Sequence, residues 1–177
     1  CGEGTAVWIT HLKKAGACYF KLPAVSVLSD KLHSAPEVAH NVPSTWKGEI
    51  WSEVKGKICY LHFPFYNGAM STPQCERLTK EIERVGAMKE VNVVVLMGGY
   101  DFFSNGIHLN VIESAADPEK ESMNNIQAID DVVLAIMSLN KLTISAIRGN
   151  AAAGGLMTAL AADLVWTHEN VVLNPHY

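Results

Sequence analysis

The chain has 177 residues, 49% of them hydrophobic, and its formal net charge at pH 7 is -4. This composition supports one globular domain with a core, and the acidic balance argues against nucleic acid or an anionic membrane as a partner. The sequence shows neither an apolar run of roughly 18–20 residues that would span a bilayer nor a signal-peptide pattern at its first residues. We therefore expect a cytoplasmic protein without membrane contact, whose four cysteines are free thiols.

Residues 1–48 differ from the rest of the chain. They contain a short strand-like run at 7–12 and then three prolines, Pro23, Pro36 and Pro43, in stretches without a sustained hydrophobic period. Prolines with polar flanks are typical of an extended linker rather than a helix. We predict that residues 1–48 are the tail of an upstream module and a linker-like strap, and that residues 49–177 form a separate domain.

From residue 49 onward, strand and helix patterns alternate. Strands are predicted at 49–54, 57–63, 92–97, 142–147 and around 171–173, and helices at 75–88, 122–139 and 156–162. Lys55-Gly56 indicates a hairpin between the first two strands, and Pro73 marks the start of the first helix. This alternation is typical of an α/β domain.

Two of the predicted strands run into glycine-rich turns. The strand at 142–147 leads into 148–157, which contains Gly149, Gly154 and Gly155, and the strand at 92–97 leads into 98–109. Such turns have two interpretations: close packing of a helix on a sheet, or backbone N–H groups that point at a developing negative charge. Two of them together could provide two N–H donors to one oxygen atom.

These two segments resemble motifs of the crotonase (enoyl-CoA hydratase/isomerase) superfamily. Residues 103–109 are similar to a Phe-Ser/Ala-Ala-Gly-Ala-Asp-Leu-like segment, and residues 149–155 to a Gly-x-Ala-x-Gly-Gly-Gly-like segment. The resemblance implies an α/β crotonase-type spiral of ββα units, incomplete at the C-terminus because such domains continue beyond the position of Tyr177. It also implies that the backbone N–H groups of Asn105 and Gly154 hold the carbonyl oxygen of a coenzyme A thioester.

The resemblance also suggests residues that line a coenzyme A groove, although aromatic side chains at these positions are equally typical of core packing. The predicted lining residues are Phe63, Phe65, Tyr66, Phe103, Ser104, Ile107 and His108.

The chain departs from the hydratases at their two glutamate positions. Met157 stands three residues after Gly154, where the first glutamate is expected, and His176 follows Pro175, where the second is expected. Hydration of a double bond needs such a pair to deliver water and a proton. An ordinary enoyl-CoA hydratase is therefore disfavoured.

One branch of the superfamily shares these departures. Residues 60–72, 103–110 and 172–177 are similar to the C-terminal domain of the HypX/HoxX family of nickel–iron hydrogenase maturation proteins. That resemblance implies decarbonylation of formyl-CoA to carbon monoxide and coenzyme A, and hydrogenase maturation proteins as partners. It also implies an upstream domain, absent from this chain, that uses formyl-tetrahydrofolate.

Two residues near the C-terminus are the candidates for proton transfer in this reaction. We expect Tyr177 to remove or relay the formyl proton and His176 to orient it, with a packed aromatic ring and a turn histidine as the alternatives. Acyl-CoA isomerisation, thioester hydrolysis, and a non-catalytic coenzyme A-binding or docking module are the alternative functions.

The histidine spacing does not predict a metal site. His62, His108 and His176 match no standard ligand pattern. We therefore expect no metal ion in this domain.

Overall fold

The computed structural model describes residues 49–176. The predicted tail and strap at 1–48, and the candidate Tyr177, lie outside the described residues. The described part begins with an antiparallel hairpin of β1 (Trp51–Lys55) and β2 (Ile58–His62). Gly56 forms its turn with a φ of 61°, a conformation that glycine adopts without steric cost.

A five-stranded sheet forms the centre of the domain. Its order is β1-β2-β4-β7-β9, where β4 is Val93–Met97, β7 is Leu142–Ile147 and β9 is Leu164–Thr167, and all pairs beyond the hairpin are parallel. The β-branched runs predicted β4 and β7, because parallel strands buried by crossover helices need little polar alternation. Strand β9 was not predicted.

Helices α1 (Thr72–Gly86) and α3 (Pro118–Met137) cover one face of this sheet. Helix α1 begins where the Gln74 side chain accepts the Ser71 N–H at 2.9 Å. The side chain of Asp117 accepts the Lys120 N–H at 3.0 Å at the start of α3. Both are ordinary N-terminal caps, which replace hydrogen bonds that the first turn of a helix lacks. The core between the helices and the sheet includes Leu61, Leu78, Ile82, Leu96, Ile129, Val132 and Ile136.

Short strands follow each of the long strands β2, β4, β7 and β9, and after the first three of these a helix comes next. These short strands are β3 (Ala69–Met70), β5 (Phe102–Ser104), β6 (Gly106–Ile107), β8 (Asn150–Ala152) and β10 (Leu173–Asn174). They pair in parallel as β3-β6 and as β10-β8-β5. Helices α2 (Leu109–Ser114) and α4 (Ala153–Leu160) follow β6 and β8. The predicted α/β arrangement of repeated ββα units is confirmed.

The boundaries of the helices differ from the prediction by a few residues. Helix α3 begins at Pro118 rather than at 122, and α4 begins at Ala153 rather than at 156. The hydrophobic period marks only the buried turns of a helix, so caps and small residues at its start are missed. The segment 98–109, predicted as a loop, contains the short strands β5 and β6. Their hydrogen-bond partners are distant in the sequence, so no local pattern predicts them.

A polar link joins the amino-terminal ends of β7 and β9. Asp163 Oδ2 accepts the backbone N–H and the hydroxyl of Thr143, each at 2.8 Å, and Thr143 Oγ1 accepts the Asp163 N–H at 2.9 Å. These hydrogen bonds hold the pKa of Asp163 below its ordinary value of 3.8. The link therefore stabilises the folded state while Asp163 is ionised.

We predict that Asp163→Ala lowers the free energy of unfolding by about 1–2 kcal/mol at pH 7, because two donors lose a charged acceptor. Asp163→Asn keeps one acceptor oxygen, so its loss should be smaller. Since the pKa is depressed in the folded state, the difference between wild type and Asp163→Ala should shrink as the pH falls below 3.8. Urea unfolding at several pH values measures this difference, and a pH-independent difference would contradict the role of the carboxylate.

Candidate active site

The two glycine-rich segments meet backbone to backbone. Gly106 has a φ of 82°, and a methyl group added to it would lie 2.9 Å from the backbone nitrogen of Gly154. A methyl group added to Gly155 would overlap the carbonyl oxygen of Ser104. Side chains at either position would separate the two segments, so the absence of side chains permits the approach.

Gly154 lies in the first turn of α4, where backbone N–H groups have no acceptor within the helix. Its own carbonyl oxygen accepts the buried hydroxyl of Thr158 at 2.9 Å. The helix dipole adds partial positive charge at this end. The position therefore suits the predicted role of the Gly154 N–H as a donor to a carbonyl oxygen that gains charge.

The predicted donor Asn105 is not available for the same role. Its backbone N–H donates to the carbonyl oxygen of Gly68 at 2.7 Å, and its side-chain Nδ2 donates to the carbonyl oxygen of Asn67, also at 2.7 Å. The prediction of Asn105 as an oxyanion donor is therefore wrong. Because both groups already have acceptors, Asn105 instead ties the turn before β3 to the segment between β5 and β6.

The N–H groups of the residues on either side of Ile107 are also engaged. Gly106 donates its N–H to Ser104 Oγ at 3.1 Å, and His108 donates its N–H to Asn125 Oδ1 at 3.0 Å. Ile107 lies between these two residues and next to the glycine that contacts Gly154.

Two buried polar side chains hold this segment in place. Ser104 is fully buried, and its hydroxyl donates to the Gly68 carbonyl at 2.9 Å while it accepts the Gly106 N–H. Asn125 is 1% exposed, and its Nδ2 donates to the Met70 carbonyl at 2.9 Å. Asn125 thus connects β3 to the end of β6 from α3. Asn125 is not among the predicted site residues, although an asparagine one turn before Ile129 on the apolar face of a helix was a signal for it.

The predicted coenzyme A lining is only partly accessible. Phe63, Phe65 and Phe103 are buried in the core, where the Phe63 ring meets the edge of Phe103 with centroids 5.3 Å apart. The prediction that they line a ligand groove is wrong, because their side chains pack on the helix-covered face of the sheet. The Ser104 hydroxyl is likewise buried and has its hydrogen-bond partners in the protein.

Three of the predicted lining residues have accessible surface. Tyr66 is 81% exposed, and Ile107 and His108 are half-buried. His108 caps α2, since its Nδ1 accepts the Val111 N–H at 3.4 Å.

Met157 and His176 stand where the hydratases have their two glutamates, and both follow the glycine segment at 149–155 in the fold. Met157 is 39% exposed on α4, one turn after Gly154, and its thioether cannot transfer a proton. His176 is exposed, and its N–H donates to Asn174 Oδ1 at 3.1 Å. Asn174 pairs with Ala152, the residue that precedes α4, so β10 directs the chain toward this end of the domain.

A second cluster of rings and charge lies at the carboxyl ends of β2, β4 and β7. The Trp51 and His62 rings are stacked with centroids 4.9 Å apart, and the Arg148 guanidinium lies 4.1 Å from the centroid of the Tyr100 ring. Burial, followed by the charge of Arg148, lowers the pKa of His62 below its ordinary value of 6.5. Both effects favour the neutral form of the His62 ring.

Within residues 49–176, no group of three histidine, cysteine or acidic side chains is arranged to hold a metal ion. In the same range, no helix is both long and apolar enough to cross a membrane.

Comparison with known proteins places the chain in a family. The family model of enoyl-CoA hydratase/isomerase matches residues 54–174, and the chain therefore belongs to the enoyl-CoA hydratase/isomerase family. It is 38% identical over 115 residues to the putative enoyl-CoA hydratase/isomerase YhaR of Bacillus subtilis. The aligned region is 64% of this chain and 44% of YhaR.

Within that family, the chain is similar to hydrogenase maturation factors. It is 42% identical over 173 residues to HoxX of Bradyrhizobium diazoefficiens. The aligned region is 97% of this chain and 30% of HoxX. A crystal structure of HypX from Aquifex aeolicus in complex with tetrahydrofolic acid superimposes with a TM-score of 0.71 at 51% identity, over 73% of this chain and 23% of HypX. The chain thus spans less than a third of either of these two proteins.

We predict that Asn125→Leu lowers the free energy of unfolding by about 2–4 kcal/mol, because a buried carbonyl and a buried N–H both lose their partner. Asn124→Leu is the matched control: it makes the same change at an exposed position and should stay within about 0.5 kcal/mol of wild type. Chemical denaturation measures both. Equal losses of stability in the two variants would contradict the role of the Asn125 hydrogen bonds to Met70 and His108.

We predict that Arg148→Gln raises the pKa of His62, because it removes a nearby positive charge. Glu53→Gln should lower the same pKa, since that carboxylate favours the protonated ring. Titration of the imidazole carbon-bound protons by NMR measures both values. Shifts of the same sign in both variants would contradict the electrostatic account.

Proposed function

We propose that this domain binds a coenzyme A thioester and holds its carbonyl oxygen between the backbone N–H groups of Ile107 and Gly154. The observation that supports this most directly is the close approach of Gly106 to Gly154: a methyl group added to Gly106 would lie 2.9 Å from the Gly154 nitrogen. Fixed N–H donors polarise the carbonyl group of a bound thioester, and they stabilise the negative charge that its oxygen gains when the carbon is attacked or the thioester enolises. With a formyl group, the same polarisation makes the hydrogen on the carbonyl carbon more acidic.

We place the first donor at Ile107 because the Asn105 N–H already donates to Gly68, and because Ile107 directly follows the glycine that approaches Gly154. The N–H groups of Asn105, Gly106 and His108 donate to Gly68, Ser104 and Asn125. Ile107 is half-buried, as a residue at the wall of a narrow site would be. We therefore assign the first donor to Ile107 and the second to Gly154.

For the acyl group we propose formyl, with decarbonylation of formyl-CoA to carbon monoxide and coenzyme A as the reaction. The formyl proton leaves carbon, the electron pair of that bond becomes the carbon lone pair of carbon monoxide, and the carbon–sulfur bond breaks. The thiolate then takes up a proton, so atoms and charge balance. Tyr177 is the proposed group that removes or relays the proton, and His176 the group that orients it.

The similarity to HoxX and HypX supports this choice, and Met157 argues against hydration because the site lacks the glutamate of a hydratase. The HypX structure binds tetrahydrofolic acid. We propose accordingly that formyl groups reach coenzyme A from formyl-tetrahydrofolate through a domain outside this chain, and that the carbon monoxide serves nickel–iron hydrogenase maturation in the cytoplasm, with other maturation proteins as partners.

The protein incubated with formyl-CoA should release carbon monoxide, which a haem reporter traps. Free formate instead of carbon monoxide would indicate thioester hydrolysis, and binding without any product would indicate a docking module. Tyr177→Phe should reduce carbon monoxide release at least about 100-fold, within the range of general acid–base catalysis. Full release by Tyr177→Phe would remove Tyr177 from the mechanism.

The two oxyanion donors are tested by a pair of glycine substitutions. Gly106→Ala pushes a methyl group against the Gly154 nitrogen and should lower carbon monoxide release about 100- to 1,000-fold, as the loss of an oxyanion donor does. Gly56→Ala is the matched control, because Gly56 also has a positive φ but no atom within 4 Å of the added methyl group. Both variants carry similar backbone strain, so an equal loss of activity would contradict the assignment.

A further inference from the structure

Helix α3 has apolar residues on its outer face as well as on the face that packs on the sheet. Met123, Ile126, Leu134 and Met137 are exposed, by 39% at Ile126 and by 62–68% at the other three. Counted around the helix, they lie within about 80° of one another and opposite the buried side chains. A surface helix normally presents polar residues on this side. We call these four residues, together with Asp130 between them, the outer stripe.

Asp130 divides the outer stripe into two apolar pairs. Met123 and Ile126 precede it, Leu134 and Met137 follow it, and the members of each pair are three residues apart. Residues at this spacing are neighbours on a helix surface, so each pair forms one apolar contact area. Asp130 is exposed and, among the described residues, forms no salt bridge. The stripe is about 21 Å long, which is enough to pack along another helix, and it has one negative charge at its centre.

The groove beside the outer stripe is also acidic. It runs between α1 and α3, and its lining includes Glu83, Asp131 and Ala135 together with Leu134 of the stripe. None of the described residues that line this groove is a lysine or an arginine. A helix bound to this surface would therefore meet negative charge at its centre and along one side, and a positively charged partner complements it.

A second copy of this chain does not complement the outer stripe. Two-fold symmetric contacts use the same surface patch on both subunits. Because Asp130 lies at the centre of the stripe, parallel or antiparallel pairing that keeps both apolar pairs in contact would bring two Asp130 carboxylates together. Like charges repel, and burial of a carboxylate without a partner is costly. A basic residue opposite Asp130 would instead pair with it inside an apolar surround.

We propose that the outer stripe of α3 docks a helix of a partner protein, one that has an apolar stripe of matching length and a lysine or arginine at its centre. The apolar pairs provide the contact area, and the flexible side chains of Met123 and Met137 adapt to the partner. Asp130 selects the basic residue and fixes the register of the two helices. No residue of the outer stripe belongs to the candidate active site, so this inference does not depend on the proposed function.

Two labelled synthetic peptides are the probes. Both are amphipathic helices with leucine at the four positions that match the apolar pairs, and they differ only at the central position, which is lysine in one and glutamate in the other. Titration with the full chain, followed by fluorescence anisotropy, should show at least about 10-fold tighter binding of the lysine peptide, a ratio within the range of close charge pairs at interfaces. Leu134→Gln should weaken its binding about 10-fold, because an apolar contact is lost.

Asp130→Lys should reverse the preference, so that the glutamate peptide binds more tightly. Glu90→Lys is the matched control, because it makes the same change of charge at an exposed residue outside α3, and it should leave the preference unchanged. Equal binding of the two peptides to wild type, or binding of neither, would overturn the proposal. Sedimentation velocity of the chain alone tests the other occupant: a dimer that Leu134→Gln disrupts would assign the stripe to a second copy and overturn the proposal as well.

Discussion

The candidate site depends on the direct contact of two backbone segments that carry no side chains where they touch. Gly106 approaches the Gly154 nitrogen, and Gly155 approaches the Ser104 carbonyl. The segments follow β4 and β7, two neighbouring parallel strands of the central sheet. Because parallel strands point in one direction, their exits lie at the same edge, and small residues there allow the chains to meet.

Buried hydrogen bonds keep this contact in register. The Gly68 carbonyl accepts both the Asn105 N–H and the Ser104 hydroxyl, and Asn125 connects α3 to β3 and to the end of β6. A buried polar group without a partner is costly, so each of these bonds favours one position of the segment over alternatives. This is the arrangement that a preorganised oxyanion site requires, because donors that had to move during the reaction would stabilise charge less.

Much of the fold could be predicted from the sequence, and less of the site. The β-branched runs and the apolar stripe of Leu78, Ile82 and Val85 indicated the central sheet and its first helix, because burial on one face leaves a period in the sequence. The short strands β5 and β6 left no such period, since their partners are distant in the chain. The two glycine segments could be paired because each follows a buried strand, and both also resemble family motifs.

Within residues 103–109, the motif alone does not identify a donor residue. Asn105 and Ile107 are both near the motif glycine, and only the hydrogen bond from Asn105 to Gly68 separates them. Burial likewise decided between the two interpretations of Phe63 and Phe103, which as aromatic residues suit a core and a ligand groove equally well. Asn125 lies outside both family motifs, so its role in holding the segment is apparent only from its hydrogen bonds in the structure.

The central claim, that two backbone N–H groups polarise a thioester carbonyl, is tested most directly by the carbonyl stretching frequency of a bound thioester. Acetyl-CoA labelled with carbon-13 at the carbonyl can be followed by isotope-edited infrared spectroscopy, free and bound to the protein. The account predicts a shift to lower frequency on binding in wild type and a smaller shift in Gly106→Ala, because one donor is displaced. A bound thioester whose carbonyl frequency equals that in water would contradict it.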